Sequence, residues 1–218
     1  MLTRKGLLEF IEGYNHDNSA YWYGTIAGVN KATAATLNAK SKQYPEHYTP
    51  NRQSRYINDI QTGKKITDCS GLIKGYLMQG KYNAAYDLND KGLIDKSDIK
   101  GTIDTLPEIP GIGLWKSGHV AVYIGYGKYK EAAGFSAGIR IGDNIKQFKK
   151  WFYIPYIEYE EQPSTYNISK ELIDSLAHDV IRGKFGNYPM RKSLLNSMGY
   201  GDIYLIVQKR VNEILLGK

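Results

Sequence analysis

The stretch KKITDCSGLIKGYLMQG, residues 64–80, contains Cys69, the single cysteine among 218 residues. Asp68 before it is a favoured helix N-cap type, and Cys69, Leu72, Ile73, Tyr76 and Leu77 recur at i, i+3, i+4, i+7 and i+8. That spacing predicts a helix beginning at about Cys69 with one apolar face. A thiol at a helix N-terminus meets the positive end of the macrodipole and unpaired N–H groups. Both favour thiolate and draw its pKa from ~8.5 towards neutrality or below. The same N–H groups can hold an oxyanion. A lone cysteine on an apolar face also serves as a small buried hydrophobe, so the motif alone leaves two readings open.

A thiol nucleophile needs a base, normally histidine, and the base needs an orienting partner. His16 and His47 lie in polar stretches, and His178 lies in a helical C-terminal region. His119 opens HVAVYIGYGKYKEAAG, where Val120, Val122 and Ile124 alternate with His119, Ala121 and Tyr123. A strand could hold that imidazole rigidly. Gly125-Tyr126-Gly127 marks a hairpin turn, and its parity is decisive. An odd loop places Ala121 opposite Glu131 and makes His119 the diagonal neighbour of Glu131, ~7–8 Å away at Cα. An even loop sends the two to opposite faces. Taken singly, each is bland: a strand-end histidine is usually solvated, and a strand glutamate usually faces water.

The elements that must position these groups follow from periodicity. Residues 2–14 carry a helical stripe, and AYWYG (20–24) reads as a short turn or strand ending in glycine. Residues 25–67 read as an irregular lobe with one helix near 31–42, and 80–110 as loop with a short helix at 97–105. AGIRIGD and WFYIPYIEY are further strand candidates. A helix followed by an antiparallel sheet is an α+β pattern. The polar EEQPSTYNIS then reads as a linker, and three short helices after it as a small bundle. The expected organisation is a domain over 1–159, a linker over 160–168 and a helical module over 169–218.

Composition narrows the classes. With 42% hydrophobic and 23% charged residues the chain is of ordinary globular type. One cysteine excludes an intrachain disulfide and a multi-cysteine metal site. The formal charge of +7 suits polyanions in general. No Lys/Arg-rich run or zinc-ligand spacing points to nucleic acid. No apolar run approaches the ~18 residues of a membrane span. The N-terminal MLTRKGLLEFIEGY is broken by Glu9 and Glu12, so no secretory signal is read there, and synthesis in the cytoplasm is expected. The 19 tyrosines offer apolar rings with polar tips, useful at core edges and against sugar or peptide ligands.

DCSGLIKGY, followed fifty residues later by GHVAVYIGYGKYKEA, resembles the NlpC/P60 family of cell-wall cysteine peptidases. AYWYG is similar to that family's upstream aromatic-glycine segment, and the likeness spans roughly residues 5–158. The resemblance implies a papain-like α+β fold and cleavage of an amide in the peptidoglycan stem peptide, without metal or other cofactor. Carried over by position, Cys69 is the nucleophile, His119 the base and Glu131 the third polar residue, where bacterial members commonly have histidine. Tyr21 matches the tyrosine beside the nucleophile. Tyr21, Asp68 and Ser70 form the expected oxyanion and substrate set. The long stretch between YWYG and DCSG most resembles phage-type endolysins, which implies release by a separate holin and action at the bacterial wall. An N-acetylmuramoyl-L-alanine amidase using the same residues is the alternative, and a non-catalytic wall-binding protein a third.

DVIRGKFGNYPMRKSLLNSMGY followed by VQKRVNEIL resembles the CW_7 cell-wall-binding repeat, which implies muropeptide binding. Gly183 and Gly186 break a helix around Lys184, Phe185 and Asn187, giving an aromatic flanked by a cation and an amide. Arg191 and Tyr200 could add a charged and a stacking contact, although Phe185 and Tyr200 also suit a core. A single repeat implies modest affinity without a second contact from the catalytic domain.

Overall fold

The computed structural model describes residues 1–159, 168–187, 190–196, 198 and 203–217. The chain divides into two compact units, Met1–Glu160 and Glu161–Lys218.

The first unit opens with α1 (Arg4–Glu12), capped by the Thr3 hydroxyl, which accepts the Gly6 N–H. Strand β1 (Ser19–Tyr21) pairs in parallel with β2 (Lys65–Thr67). Between them lie α2 (Ala34–Gln43) and α3 (Gln53–Gln61). The lobe expected to be irregular with one helix therefore has two. Helix α3 escaped a periodicity reading because it buries only Tyr56 and Asp59. They anchor it together with the partly buried Ile60: the Trp22 indole donates to Asp59 at 2.9 Å, and the Trp22 and Tyr56 rings meet edge-on at 4.9 Å.

Helix α4 (Cys69–Met78) is central, and every residue from Ser70 to Met78 is buried. The apolar stripe seen in the sequence is thus one side of a helix enclosed all round. Gly71 and Gly75, one turn apart, permit that enclosure. A Cβ on Gly71 would lie 2.0 Å from the Thr25 carbonyl oxygen, and one on Gly75 would lie 2.3 Å from that of Ala27. The 25–27 backbone therefore runs directly over the helix, with the Ala27 N–H donating to the Gly71 carbonyl.

The helix expected at 97–105 is not there. Helix α5 (Asp90–Asp95), capped by Asn89, precedes that segment, which forms β3 (Lys100–Thr102) and a 3-10 turn. Pairing of Lys100–Thr102 with a distant strand overrides the local pattern. There follow β4 (Gly113–Lys116), β5 (His119–Gly125), β6 (Lys128–Ala132), β7 (Ile139–Gly142) and β8 (Lys150–Phe152). They form an antiparallel sheet in the order β3-β8-β4-β5-β6-β7. Of the WFYIPYIEY candidate only the start is strand, since Pro155 and Tyr156, at φ 68°, turn the chain. The fold is α+β: Val120, Val122 and Phe152 share a core with α1 and α4, while Ala121, Tyr123, Tyr129 and Phe148 form a separate apolar cluster.

The β5–β6 hairpin satisfies the parity condition by an unexpected route. The turn is the two-residue Tyr126-Gly127, both at positive φ, which is the type I′ signature. Gly125 pairs with Lys128, an even loop that by itself would separate His119 from Glu131. A bulge at Ile124 adds one residue to β5, so Tyr123 pairs with Tyr129 and Val122 with Lys130. Continued one step, that register sets Ala121 beside Glu131.

In the second unit, α6 (Lys170–Ile181), α7 (Met190–Asn196) and α8 (Ile203–Leu215) enclose Leu176, Ala177, Val180, Leu195, Ile203, Tyr204, Val207 and Val211. Among the described residues no helix is long and apolar enough to cross a membrane.

Candidate active site

Asp68 organises the start of α4. Its Oδ1 accepts the Gly71 N–H at 2.6 Å and the Ser70 hydroxyl at 3.2 Å, while Oδ2 accepts the Gly24 N–H at 2.9 Å. One carboxylate thus caps the helix and fastens the aromatic-glycine segment to it. Burial pushes the Asp68 pKa up, opposed by Lys74 and by the three hydrogen bonds. The Ser70 side chain is committed to Asp68, so Ser70 serves the cap.

Cys69 is partly exposed in a groove of about 750 Å³, whose walls also include Tyr21, Asp68, Ser70, Asp90 and Gly118. Backbone N–H groups of Val120 and Ser70 face its sulfur and favour the thiolate. They do not prevail. Burial and the adjacent Asp68 charge push the thiol up to about 12, which corrects the expectation of a pKa near neutrality. The Tyr21 phenol shares the groove; burial, followed by the Cys69 and Asp68 charges, raises its pKa and keeps it a donor.

His119 sits where β4 turns into β5, directly opposite Lys116. Its Nε2 lies 2.7 Å from Glu131 Oε2, and Glu131 Oε1 accepts the Arg140 Nε–H at 2.8 Å. Glu131 and Arg140 are register partners on β6 and β7, so the chain of contacts crosses three strands on one face of the sheet. Glu131 is only 2% exposed. Burial alone would raise its carboxyl pKa, but hydrogen bonds and charge from His119 and Arg140 outweigh it and hold it low. A carboxylate accepts only, so Nε2 carries a proton, and in the neutral ring Nδ1 keeps the lone pair. The ring lies nearly parallel to Phe148, at 6.2 Å and 18°.

Cys69 and His119 meet through backbone: the sulfur faces the N–H of the peptide joining His119 to Val120. Among the described residues no direct hydrogen bond links the thiol to the imidazole. The structure therefore brings together Cys69, Tyr21, Asp68 and Ser70 around the groove, and His119 with Glu131 beside it.

Three contributors were not read from the sequence. Arg140 lies in a foreseen strand, but the six-residue connection from β6 hid its register. Asp90 Oδ2 accepts the Trp115 indole N–H at 3.1 Å and the Gly118 N–H at 3.0 Å, pinning the turn that carries His119. Lys74 pairs with Asp87 at 2.7 Å in the groove wall, and Tyr82 also donates to Asp87. A lone aspartate in a loop-like stretch, or a lone lysine within the apolar run of α4, gives no spacing signal.

In the second unit, Gly183 and Gly186 adopt φ 81° and 62° and shape the turn after α6. Lys184 pairs with Asp179 at 2.8 Å, and Phe185 packs against the bundle core. Asn187 accepts the Arg191 N–H through its carbonyl. Arg191 donates to the Gly186 carbonyl and to Gln208. Tyr200 lies outside the described residues.

Residues 174–215 match the family model of the CW_7 repeat. Among solved structures, a crystal structure of the P60 domain of an antigen from M. avium subspecies paratuberculosis is similar over 72% of this chain and 98% of its own, at 15% identity and a TM-score of 0.43. No curated protein matches the chain.

Proposed function

We propose that the chain is a peptidoglycan hydrolase of endolysin type, with a thiol catalytic domain and a C-terminal module that holds it on the wall. The observation that carries the reading is the buried Glu131 bound to His119 Nε2, on the strand whose Val120 N–H faces the Cys69 sulfur. A histidine oriented by a buried carboxylate, next to a thiol at a helix start, is a general-base arrangement. The CW_7 match supports the wall-binding part.

In the proposed cycle, substrate binding brings His119 Nδ1 onto the thiol. Catalytic hydrogen bonds commonly tighten only in the complex. Nδ1 takes the thiol proton as sulfur attacks the amide carbonyl carbon. The oxyanion is held by N–H groups of the first turn of α4 and by the Tyr21 hydroxyl. The C–N bond then breaks, and the Nδ1 proton goes to the leaving amine. Water, deprotonated by the same nitrogen, attacks the thioester, releases the acid and restores the thiol. No step uses the Ser70 hydroxyl.

The test is release of soluble fragments from purified peptidoglycan by the native chain and by Cys69→Ala. The native chain is expected to release them and the variant is not; equal release by both defeats the mechanism. Mass spectrometry of the fragments places the cut. New amino termini within the stem peptide are expected, whereas free lactyl-muramic ends would make the protein an amidase.

A further inference from the structure

The groove around Cys69 contains two lysines in different states. Lys74 is neutralised by Asp87. Lys40, on α2, is not: its ammonium donates to the neutral Gln43 side chain at 3.0 Å and sits over the Tyr44 ring at 5.5 Å. Among the described residues no carboxylate forms an ion pair with it. The position is nevertheless built. Tyr44, one turn beyond Lys40, packs against Gly24, where a Cβ would lie 2.3 Å from its ring. Tyr44 also meets Tyr23 edge-on at 5.0 Å. Gly24 is the residue whose N–H is held by Asp68. Lys40 is therefore tied through Tyr44 to the segment clamped onto the nucleophile helix, and both Lys40 and Cys69 line the groove. Burial pulls the Lys40 ammonium pKa down, while Asp68 and Asp87 support its charge. A half-buried cation without an ionic partner, in the wall of a substrate groove, is best completed by an anion that arrives with the ligand.

We propose that Lys40 is a specificity residue that binds a free carboxylate on the substrate close to the scissile amide, so the groove selects anionic stem peptides over their amidated forms. The inference rests on the hydrolase reading for its substrate class. Lys40 lies on α2, in the segment between the aromatic-glycine motif and the cysteine motif, and takes no part in the proposed proton transfers.

The test is titration calorimetry with the full-length Cys69→Ala protein and two otherwise identical stem peptides, one with D-isoglutamate and one with D-isoglutamine. The acid is expected to bind at least tenfold more tightly. Adding Lys40→Met is expected to abolish that preference by weakening the acid, and adding Lys40→Arg to preserve most of it. Equal affinity for the two peptides, binding to neither, or a Lys40→Met loss shared equally by both overturns the proposal. Turnover by the native chain is measured separately. Failure to cut either peptide counts against the hydrolase reading, while the affinities still decide the role of Lys40.

Discussion

Replacing Glu131 with glutamine changes one atom, and the structure dictates where the change is felt. The carboxylate accepts two N–H groups, from His119 and from Arg140. Glutamine offers one oxygen and one NH₂, so one partner must become an acceptor. Arginine has no acceptor, but histidine can supply one by moving its proton. The glutamine oxygen therefore stays on Arg140 and its NH₂ faces His119 Nε2. That shifts the imidazole proton to Nδ1, the nitrogen that receives the thiol proton in the proposed cycle. Loss of the correct tautomer is worth on the order of 10³–10⁴ in kcat, or about 4–5.5 kcal/mol. Fragment release at pH 7 measures the rate, and nitrogen NMR of His119 reads the tautomer directly. Arg140→Met, which leaves the Glu131–His119 contact in place and removes a half-exposed side chain, should cost less than about tenfold. Stability supplies a second readout. Because the folded Glu131 pKa is depressed, its contribution is present above the unfolded carboxylate range and is lost as pH falls through the folded value. The stability gap between native protein and Glu131→Gln should therefore narrow in acid. A folded Glu131→Gln protein with activity within tenfold of native, or an equal loss in Arg140→Met, would refute the reasoning.

Three further outcomes follow from packing and charge. With its thiol at about 12, Cys69 should react with iodoacetamide at pH 7.5 roughly 10³-fold more slowly than free cysteine, and Asp68→Asn should speed it; a native alkylation pKa near 7 contradicts this. Gly75→Ala drives a Cβ into the Ala27 carbonyl, a backbone atom that cannot swing aside, and should cost about 3 kcal/mol or prevent folding; an unchanged melting temperature would show that the helix has room to shift. Phe185→Leu should keep wall binding in a sedimentation assay, because Phe185 packs on the bundle core, whereas loss of binding with the unit still folded would make the ring a ligand contact.

Legibility in the sequence tracked the range of the interaction. The Asp68 cap, the start of α4 at Cys69 and the three C-terminal helices depend on neighbours a turn away, and local pattern located them. The face shared by His119 and Glu131 was also readable, but only as a condition on parity. Gly125 and Gly127 suggested a three-residue loop; the chain uses a two-residue turn and recovers the parity with a bulge at Ile124. Two local devices are interchangeable in their effect on the far end of a hairpin, so a correct register can be inferred from an incorrect turn. Strand β3 and helix α3 depend on partners tens of residues away, and Arg140 on Glu131 across the β6–β7 connection. No periodicity within five or six residues can report such pairings.

The thiol shows why a motif can name a residue without giving its electrostatics. A helix N-terminus is worth 0.3–1 kcal/mol at an exposed position and up to ~2 kcal/mol in favourable geometry. Raising a thiol to about 12 corresponds to about 4 kcal/mol against the thiolate, so burial and the Asp68 charge exceed the helix contribution. The sequence displays the weaker influence, because the helix start is local, and conceals the stronger one, because burial depends on how α4 is enclosed. In the proposed cycle a thiol held protonated gives up its proton as the sulfur attacks. That requirement makes the orientation of His119 consequential. It also gives Asp68 two opposed effects, since the carboxylate that caps the helix and ties down Gly24 also disfavours the thiolate beside it. Replacing Asp68 should thus make Cys69 easier to ionise while loosening the frame that aims it, and greater thiol reactivity should accompany lower turnover.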